Sequence, residues 1–531
     1  GDKTSVRMDF HDLWVSFGKG APRFRCDGLA VGLSLGGVKV EGSAIAVDGS
    51  LPSLYKPGVL PANVTAHGFL ASGRIQCRGW SPLTAAMGFL ELRKAGSSPR
   101  HAFFIYGQLE KQTEPIDTPV GRIYLREYGF GFGYRYTLAG IARAETAKSP
   151  SELIKILDEV SKFQGSLDQF QAWEPTYDNA DLTIALRGML SMAAASERGS
   201  YNADKEAELP NPLLLDIVAA LRTDLTFLIN VRAWVAVNYH DWTSGAPADA
   251  WRNNPTMRGY LYFSVPRKEF LGRFIADKQG HVGVHPKLPD ALMQAIRGTD
   301  FSATLYIRPG LFHFEMGWPF ELGVQFGKPS DNFYLKVNGG LIHRLEDFSV
   351  LYGMAFKAVG SVHLEGRVGS DSFGASAVAH ADFAILARIL AFVSLRSPGD
   401  SMFYGELRID ITVRVSVQIW LSFKVFGHRI RLSHGFSLDL AVSLAIEAVL
   451  SASKGLGGKA HASISVRAFG RSASLGIGFS FNDSLLTEAR ARVARYSAMG
   501  LTAEVPDRGS DGSRVETNPP PPPSRSEVAA I

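Results

Sequence analysis

The stretch Ser422–Leu432, SFKVFGHRIRL, decides how the second half of the chain is read. Phe423 and Val425 alternate with polar residues, and beyond Gly427 the apolar positions Ile430 and Leu432 have moved one place out of phase. A period of two that changes phase at a glycine fits a strand, a tight turn and a returning strand that keep one apolar face. With Gly427-His428 at the centre of a type II′ turn, Val425 is expected to face Ile430, and Phe423 to face Leu432. Val417 then faces Leu438, Val415 Leu440, Val413 Val442 and Ile411 Leu444, with Leu421 against His434 as the one break. A slip of one residue would turn every apolar side chain over, so one face is strongly specified.

The same device recurs. FGHRIRLSHGFSL at Phe426–Leu438 matches FGRSASLGIGFSF at Phe469–Phe481 in its Phe, Gly, Leu, Gly, Phe and Ser positions. A second hairpin is therefore expected, turning at Gly470-Arg471 and setting Val466 against Leu475. Each arm of the first hairpin reads as about 20 residues, or about 65 Å at about 3.3 Å per residue. The expected fold is α+β and β-dominated, with long antiparallel hairpins in extended twisted sheets and a small helical insert. An outer-membrane-type barrel is the weaker alternative, because no clear aromatic girdle is present.

Working outward, residues 1–145 read as an N-terminal antiparallel β region, in which Gly129, Gly131 and Gly133 alternate with Phe130, Phe132 and Tyr134. One face of that strand is bare backbone, which lets another element approach closely. Residues 146–224 read as the helical insert. Ser149-Pro150-Ser151-Glu152 is a capping box with proline at the first helical position, and helices are also expected over Asp181–Arg198 and Pro210–Arg222. Residues 225–481 form the long-hairpin region, interrupted by a short helix over Lys287–Arg297, while Ala381–Leu395 fits either a helix or a buried strand. A last helix is expected over 482–500. Residues 501–531, with five prolines at Pro519–Pro523, read as a disordered or polyproline tail.

Composition bounds function more than it assigns one. The chain has 531 residues, 46% hydrophobic and 20% charged, with a net charge of +5. Scattered basic residues in a chain of this length speak against a nucleic-acid partner, and no run of eighteen apolar residues suggests a transmembrane helix. The start has no apolar leader-like run and no Met, which reads as a segment of a longer chain. Cys26 and Cys77 are the only cysteines, and free thiols are the plainer reading of them.

The candidates for chemistry are few. His281 and His285 share a strand face but have no companions at ligand spacing. His240-Asp241 are adjacent and would point apart on an extended chain. Glu315 and Glu321 fit solvated strand positions better than a carboxylate pair. No catalytic residue, metal or cofactor is expected.

Three stretches, HAFFIYGQL (101–109), YGFGFGYRYT (128–137) and FEMGWPFEL (314–322), together resemble a family of long β-rich bacterial and fungal proteins catalogued as a domain of unknown function. The resemblance would cover most of residues 20–480 and implies no catalytic residues. The leading function is a non-enzymatic scaffold or interaction module in a larger assembly with protein partners, and the alternative is a carrier of lipid or another apolar ligand. In the carrier reading the ligand lies in a groove lined by Ile411, Val413, Val415, Val417, Leu438, Leu440, Val442 and Leu444. A hydrolase of unfamiliar type is a third, weaker reading. The compartment is not legible. What covers the apolar face of the long hairpin separates the first two.

Overall fold

The structure, a computed structural model, describes residues 5–16, 23–35, 38–52, 55, 58–78, 81–110, 116–118, 121–139, 141–162, 167, 170–194, 211–237, 254–276, 280–283, 293, 296–370, 372–425, 428–468 and 470–497. The Ser200–Glu208 loop, His240-Asp241, His285, Gly427, most of the Lys287–Arg297 helix and the C-terminal tail lie outside the described residues, as does the side chain of Cys26. Cys77 is a free thiol.

The chain forms two compact units, one of residues 1–289 and 304–309, the other of residues 290–303 and 310–531. The first is built on an antiparallel meander. Its strands are β1 (Ser5–Ser16), β2 (Arg23–Leu35), β3 (Val38–Gly49), β4 (Val64–Cys77), β5 (Leu83–Lys94), β6 (Arg100–Glu110), β7 (Ile116–Thr118) and β8 (Gly121–Tyr134). After β9 (Tyr136–Leu138) come helices α1 (Ile141–Thr146) and α2 (Pro150–Lys162), then β10 (Trp173–Pro175) and β11 (Leu182–Ala194). The strands β12 (Asn211–Arg222), β13 (Thr226–Val237), β14 (Met257–Ser264) and β15 (Glu269–Ala276) complete it. Pairing runs β1 to β6 in order, then β6–β8–β11 and on to β15, always antiparallel.

Two of the three helices expected in residues 146–224 are strands. Asp181–Arg198 holds β11, and Pro210–Arg222 holds β12. The reason is tertiary. Leu182, Ile184 and Leu186 satisfy a period of two as well as a helical spacing, and β11 has hydrogen-bonding partners on both sides, β8 and β12. An inner strand pairs along both edges, and that context overrides local propensity. The helix at Pro150 forms as expected. The Glu152 amide donates to Ser149 Oγ at 3.2 Å and the Lys148 amide to Glu152 Oε2 at 2.8 Å, which satisfies two otherwise free helix-start donors.

The other strands are β16 (Phe301–Arg308), β17 (Leu311–Met316), β18 (Leu322–Phe326), β19 (Phe333–Glu346), β20 (Ser349–Gly369), β21 (Phe373–Ser394), β22 (Met402–Val425), β23 (His428–Ser451), β24 (Gly455–Ala468) and β25 (Arg471–Phe481), followed by helix α3 (Asp483–Ser497). In the second unit β17 and β18 both pair with β19, and β19 to β25 pair in sequence order, all antiparallel. Ala381–Leu395 is therefore strand. β22 and β23 have 24 residues each, or about 80 Å.

Both hairpin registers differ by two residues from the expected ones. Val425 pairs with His428, Phe423 with Ile430 and Val415 with Leu438, while Ala468 pairs with Arg471 and Ile464 with Leu475. A two-residue slip leaves every side chain on its face, so the apolar pattern cannot detect it; only the turn can. At the second tip Gly470 has φ +77°. The glycine thus occupies the second turn position, where a left-handed backbone is needed, and Arg471 begins the returning strand.

α3 folds back on one face of the second unit's strands. Its Leu485, Leu486, Ala489, Val493 and Tyr496 recur at helical spacing and pack on Leu351, Leu390, Met402, Tyr404 and Val449. Beyond the helix's reach the same face is polar, with His363, Asp382, Arg414 and Asp439 along it.

Candidate ligand-binding face

The two faces of each sheet carry opposite chemistry. In the first unit one face is covered. Phe104 stacks on Trp173 with ring centroids 5.3 Å apart, and Leu70, Leu90, Leu92, Tyr106 and Tyr136 are buried with them. The Gly129-Gly131-Gly133 stripe makes that approach possible: a Cβ on Gly131 would come within 2.4 Å of the Trp173 ring, and one on Gly129 within 2.1 Å of the Tyr106 hydroxyl. The close approach expected from the sequence is thus supplied by Trp173 and Tyr106.

Beside this core, buried charges cross from strand to strand. Tyr106 donates to Gln108 at 2.7 Å, and Gln108 donates to Glu127 at 2.9 Å. Arg187 donates to Gln108 at 2.8 Å and to Asp216 at 3.0 Å, and Arg232 donates to the second Asp216 oxygen. Burial alone would raise the Asp216 pKa, but the Arg187 and Arg232 guanidiniums hold it below the usual carboxylate range. Asp216 is 1% exposed, and each of its oxygens accepts from a different arginine. This buried ion-pair network ties five strands together.

The opposite face is apolar, and no described residue covers it. One row of directly opposed residues runs Met87, Ile105, Phe132, Ile184, Leu221, Phe227, Phe263, Phe270 across eight strands of the first unit. Around it Phe69, Phe89, Phe103, Phe130 and Leu186 are exposed. In the second unit a row runs Phe383, Ile411, Val442, Ile464, Leu475 across five strands. All eight positions named from the sequence lie on this face. Ile411 opposes Val442, Val413 opposes Leu440, Val415 opposes Leu438 and Ile409 opposes Leu444, with Val417 against Phe436. Ile411 and Leu438 are exposed, and the other six are half-buried by their own neighbours. Among the described residues no Asp, Glu, Lys or Arg points to this face from β20 to β24.

The size of this face sets it apart from ordinary surface. β21 and β22 pair over 20 residues. Three such strands, about 4.8 Å apart and about 3.3 Å per residue, present about 900 Å². The largest apolar patch on a typical monomer is about 300–600 Å².

One polar row breaks the open face of the first unit. Asp48, His67, Glu91 and His101 stand directly opposite one another on four adjacent strands, with His67 Nδ1 3.0 Å from Asp48 Oδ1. The Arg93 guanidinium holds Glu91 below the usual carboxylate range. These residues lie far apart in the sequence, and only the strand register brings them into line.

Of the other sequence candidates, Glu315, Glu321 and His281 lie among the described residues. Glu315 is buried and pairs with His313 Nε2 at 3.1 Å, and Glu321 accepts from Ser302 at 3.1 Å. His281 donates its amide to the Asn254 carbonyl at 2.8 Å. Among the described residues no group of three or more His, Cys, Asp or Glu could hold a metal ion, and no helix is long and apolar enough to cross a membrane. A cleft of about 450 Å³ in the second unit is lined by Arg344, Asp347, Asp400, Arg492, Arg495 and Tyr496 among others. Its Arg344 is engaged by Glu346 at 2.7 Å and its Arg492 by Glu488 at 2.9 Å.

No family model, curated protein or solved structure matches the chain.

Proposed function

We propose that this chain is a carrier of elongated apolar ligands, acyl-chain lipids above all, which lie along the open face of its long hairpins. The observation that carries the reading is the row Phe383, Ile411, Val442, Ile464, Leu475, around which, among the described residues, no Asp, Glu, Lys or Arg points to the same face from β20 to β24. The reading as a non-enzymatic scaffold starts from the same face, with a protein as its cover. Chemistry favours the lipid. A protein interface carries roughly one hydrogen bond per 100–200 Å², so about 900 Å² would call for about 5–9. Side chains of Ala, Val, Ile, Leu and Phe supply none, whereas an acyl chain asks for none. Burial of apolar area at about 25 cal/mol per Å² drives such binding without directional contacts.

Membership of the β-rich family resembled by residues 101–109, 128–137 and 314–322 is part of the same proposal, and adds no ligand to it.

Native mass spectrometry of the purified protein, followed by solvent extraction, tests the reading. Co-purifying acyl lipids that are lost in an Ile411→Glu/Val442→Lys double variant are expected. A lipid-free protein that also fails to bind a fluorescent fatty acid overturns it.

A further inference from the structure

β25 pairs with β24 alone, and every one of its eleven residues is exposed. α3 leaves from its end and packs back over β22, β23 and β24, so the outer edge of β25 stays uncovered by any described residue. Natural sheets guard such edges with proline, inward-pointing charge, bulges or brevity. β25 has none of these. RSASLGIGFSF contains no proline, its single charge is Arg471 at the extreme tip, and its register with β24 is unbroken from Arg471 to Phe481.

The free backbone groups can be assigned. Ala468 and Arg471 close the second hairpin, and a closing pair around a two-residue loop exchanges both backbone hydrogen bonds. Hydrogen bonds to β24 therefore come from the odd-numbered residues. The outward N–H and C=O groups belong to Ser472, Ser474, Gly476, Gly478 and Ser480, the side chains of which are small or absent on the polar face.

We propose that this edge pairs, antiparallel and in register about Gly476, with the same strand of a second copy of the chain. That register sets Gly476 against Gly476, Ser474 against Gly478 and Ser472 against Ser480, which joins outward groups to outward groups. On the other face it sets Leu475 against Ile477 and Ala473 against Phe479, so the apolar surface continues from one copy into the next. No charge meets a like charge, and Arg471 lies opposite Phe481. A second copy is the occupant because the strand is complementary to itself in hydrogen bonding, side-chain volume and face. A two-fold contact of this kind closes on itself and stops at a dimer. Leu475 and Ile477 are 73% and 74% exposed, and each gains a cross-strand neighbour on one side. The inference does not rest on the lipid reading.

The test is the solution mass of the full chain by light scattering across a concentration series, with two variants. Ser474→Pro removes an outward N–H without touching the β24 ladder, and Gly476→Lys places two ammonium groups opposite each other at the two-fold. The expected result is a wild-type dimer and two variants that stay folded by circular dichroism but dissociate at least tenfold more readily. A wild-type monomer throughout the series, an open-ended ladder of oligomers, or a dimer that survives both substitutions overturns the proposal. So does a monomer whose β25 amides are protected from hydrogen exchange, since another segment would then hold the edge.

Discussion

The covered and open faces of the first sheet reverse the usual distribution of polarity. On the covered face Asp216, Arg187, Arg232 and Glu127 are each 7% exposed or less. On the other side Phe130 is 53% and Ile105 52% exposed. Charges are shut in and aromatics left out. The covered face needs no further partner, because its buried charges are paired with one another. The open face consists of groups for which water is a poor neighbour, and nothing described covers it. A protein that needed only to be stable would have closed that side.

Substitutions on the covered side should do the most damage. Asp216→Ala should be the most damaging single change, because it removes the carboxylate that two buried guanidiniums share; removing one partner of a buried pair costs about 3–5 kcal/mol. Urea unfolding should show a midpoint lowered accordingly, and a loss below about 1 kcal/mol would mean that water reaches Arg187 and Arg232. Gly131→Ala should follow. Its Cβ would lie 2.4 Å from Trp173, a clash with a buried ring that must shift at a cost of about 1–3 kcal/mol, measured by the same unfolding curves. Phe130→Ser should cost least, about 0.2–1 kcal/mol from lost cross-strand contacts, yet weaken binding of a fluorescent fatty acid. A cost above about 2 kcal/mol would show that the face is packed in solution and would remove the distinction between the two sides.

The open face was the more legible of the two. A period of two from Leu407 to Ile446 marks one apolar side whatever the exact pairing, and the structure keeps the described side chains of that set on it. The turn residues were less informative. Gly427 and Gly470 are compatible with either position of a two-residue loop, and a slip of two is silent in the apolar pattern. Helix and strand were confused at Leu182–Ala194 and Asn211–Arg222, where both spacings fit and the neighbours β8 and β13 decide. The buried network was not legible. Glu127, Arg187, Asp216 and Arg232 belong to four strands, and isolated charges in strand-like surroundings ordinarily mark solvent. Only register places two arginines around one carboxylate. The row Asp48, His67, Glu91, His101 was hidden for the same reason.

The bare backbone stripe of β8 has an optical consequence. Trp173 lies against Gly131 on the covered side, with its indole N–H given to the Leu167 carbonyl at 2.9 Å, while Phe130 and Phe132 flank that glycine on the open side. No side chain intervenes, so a single thickness of peptide separates a buried fluorophore from the exposed aromatics. Anything that settles between those two rings changes the polarisability of the medium a few ångströms from the indole without touching it. A chain in which Trp173 is the sole tryptophan would thus carry its own spectroscopic gauge of whether the far side of the sheet is wet or occupied.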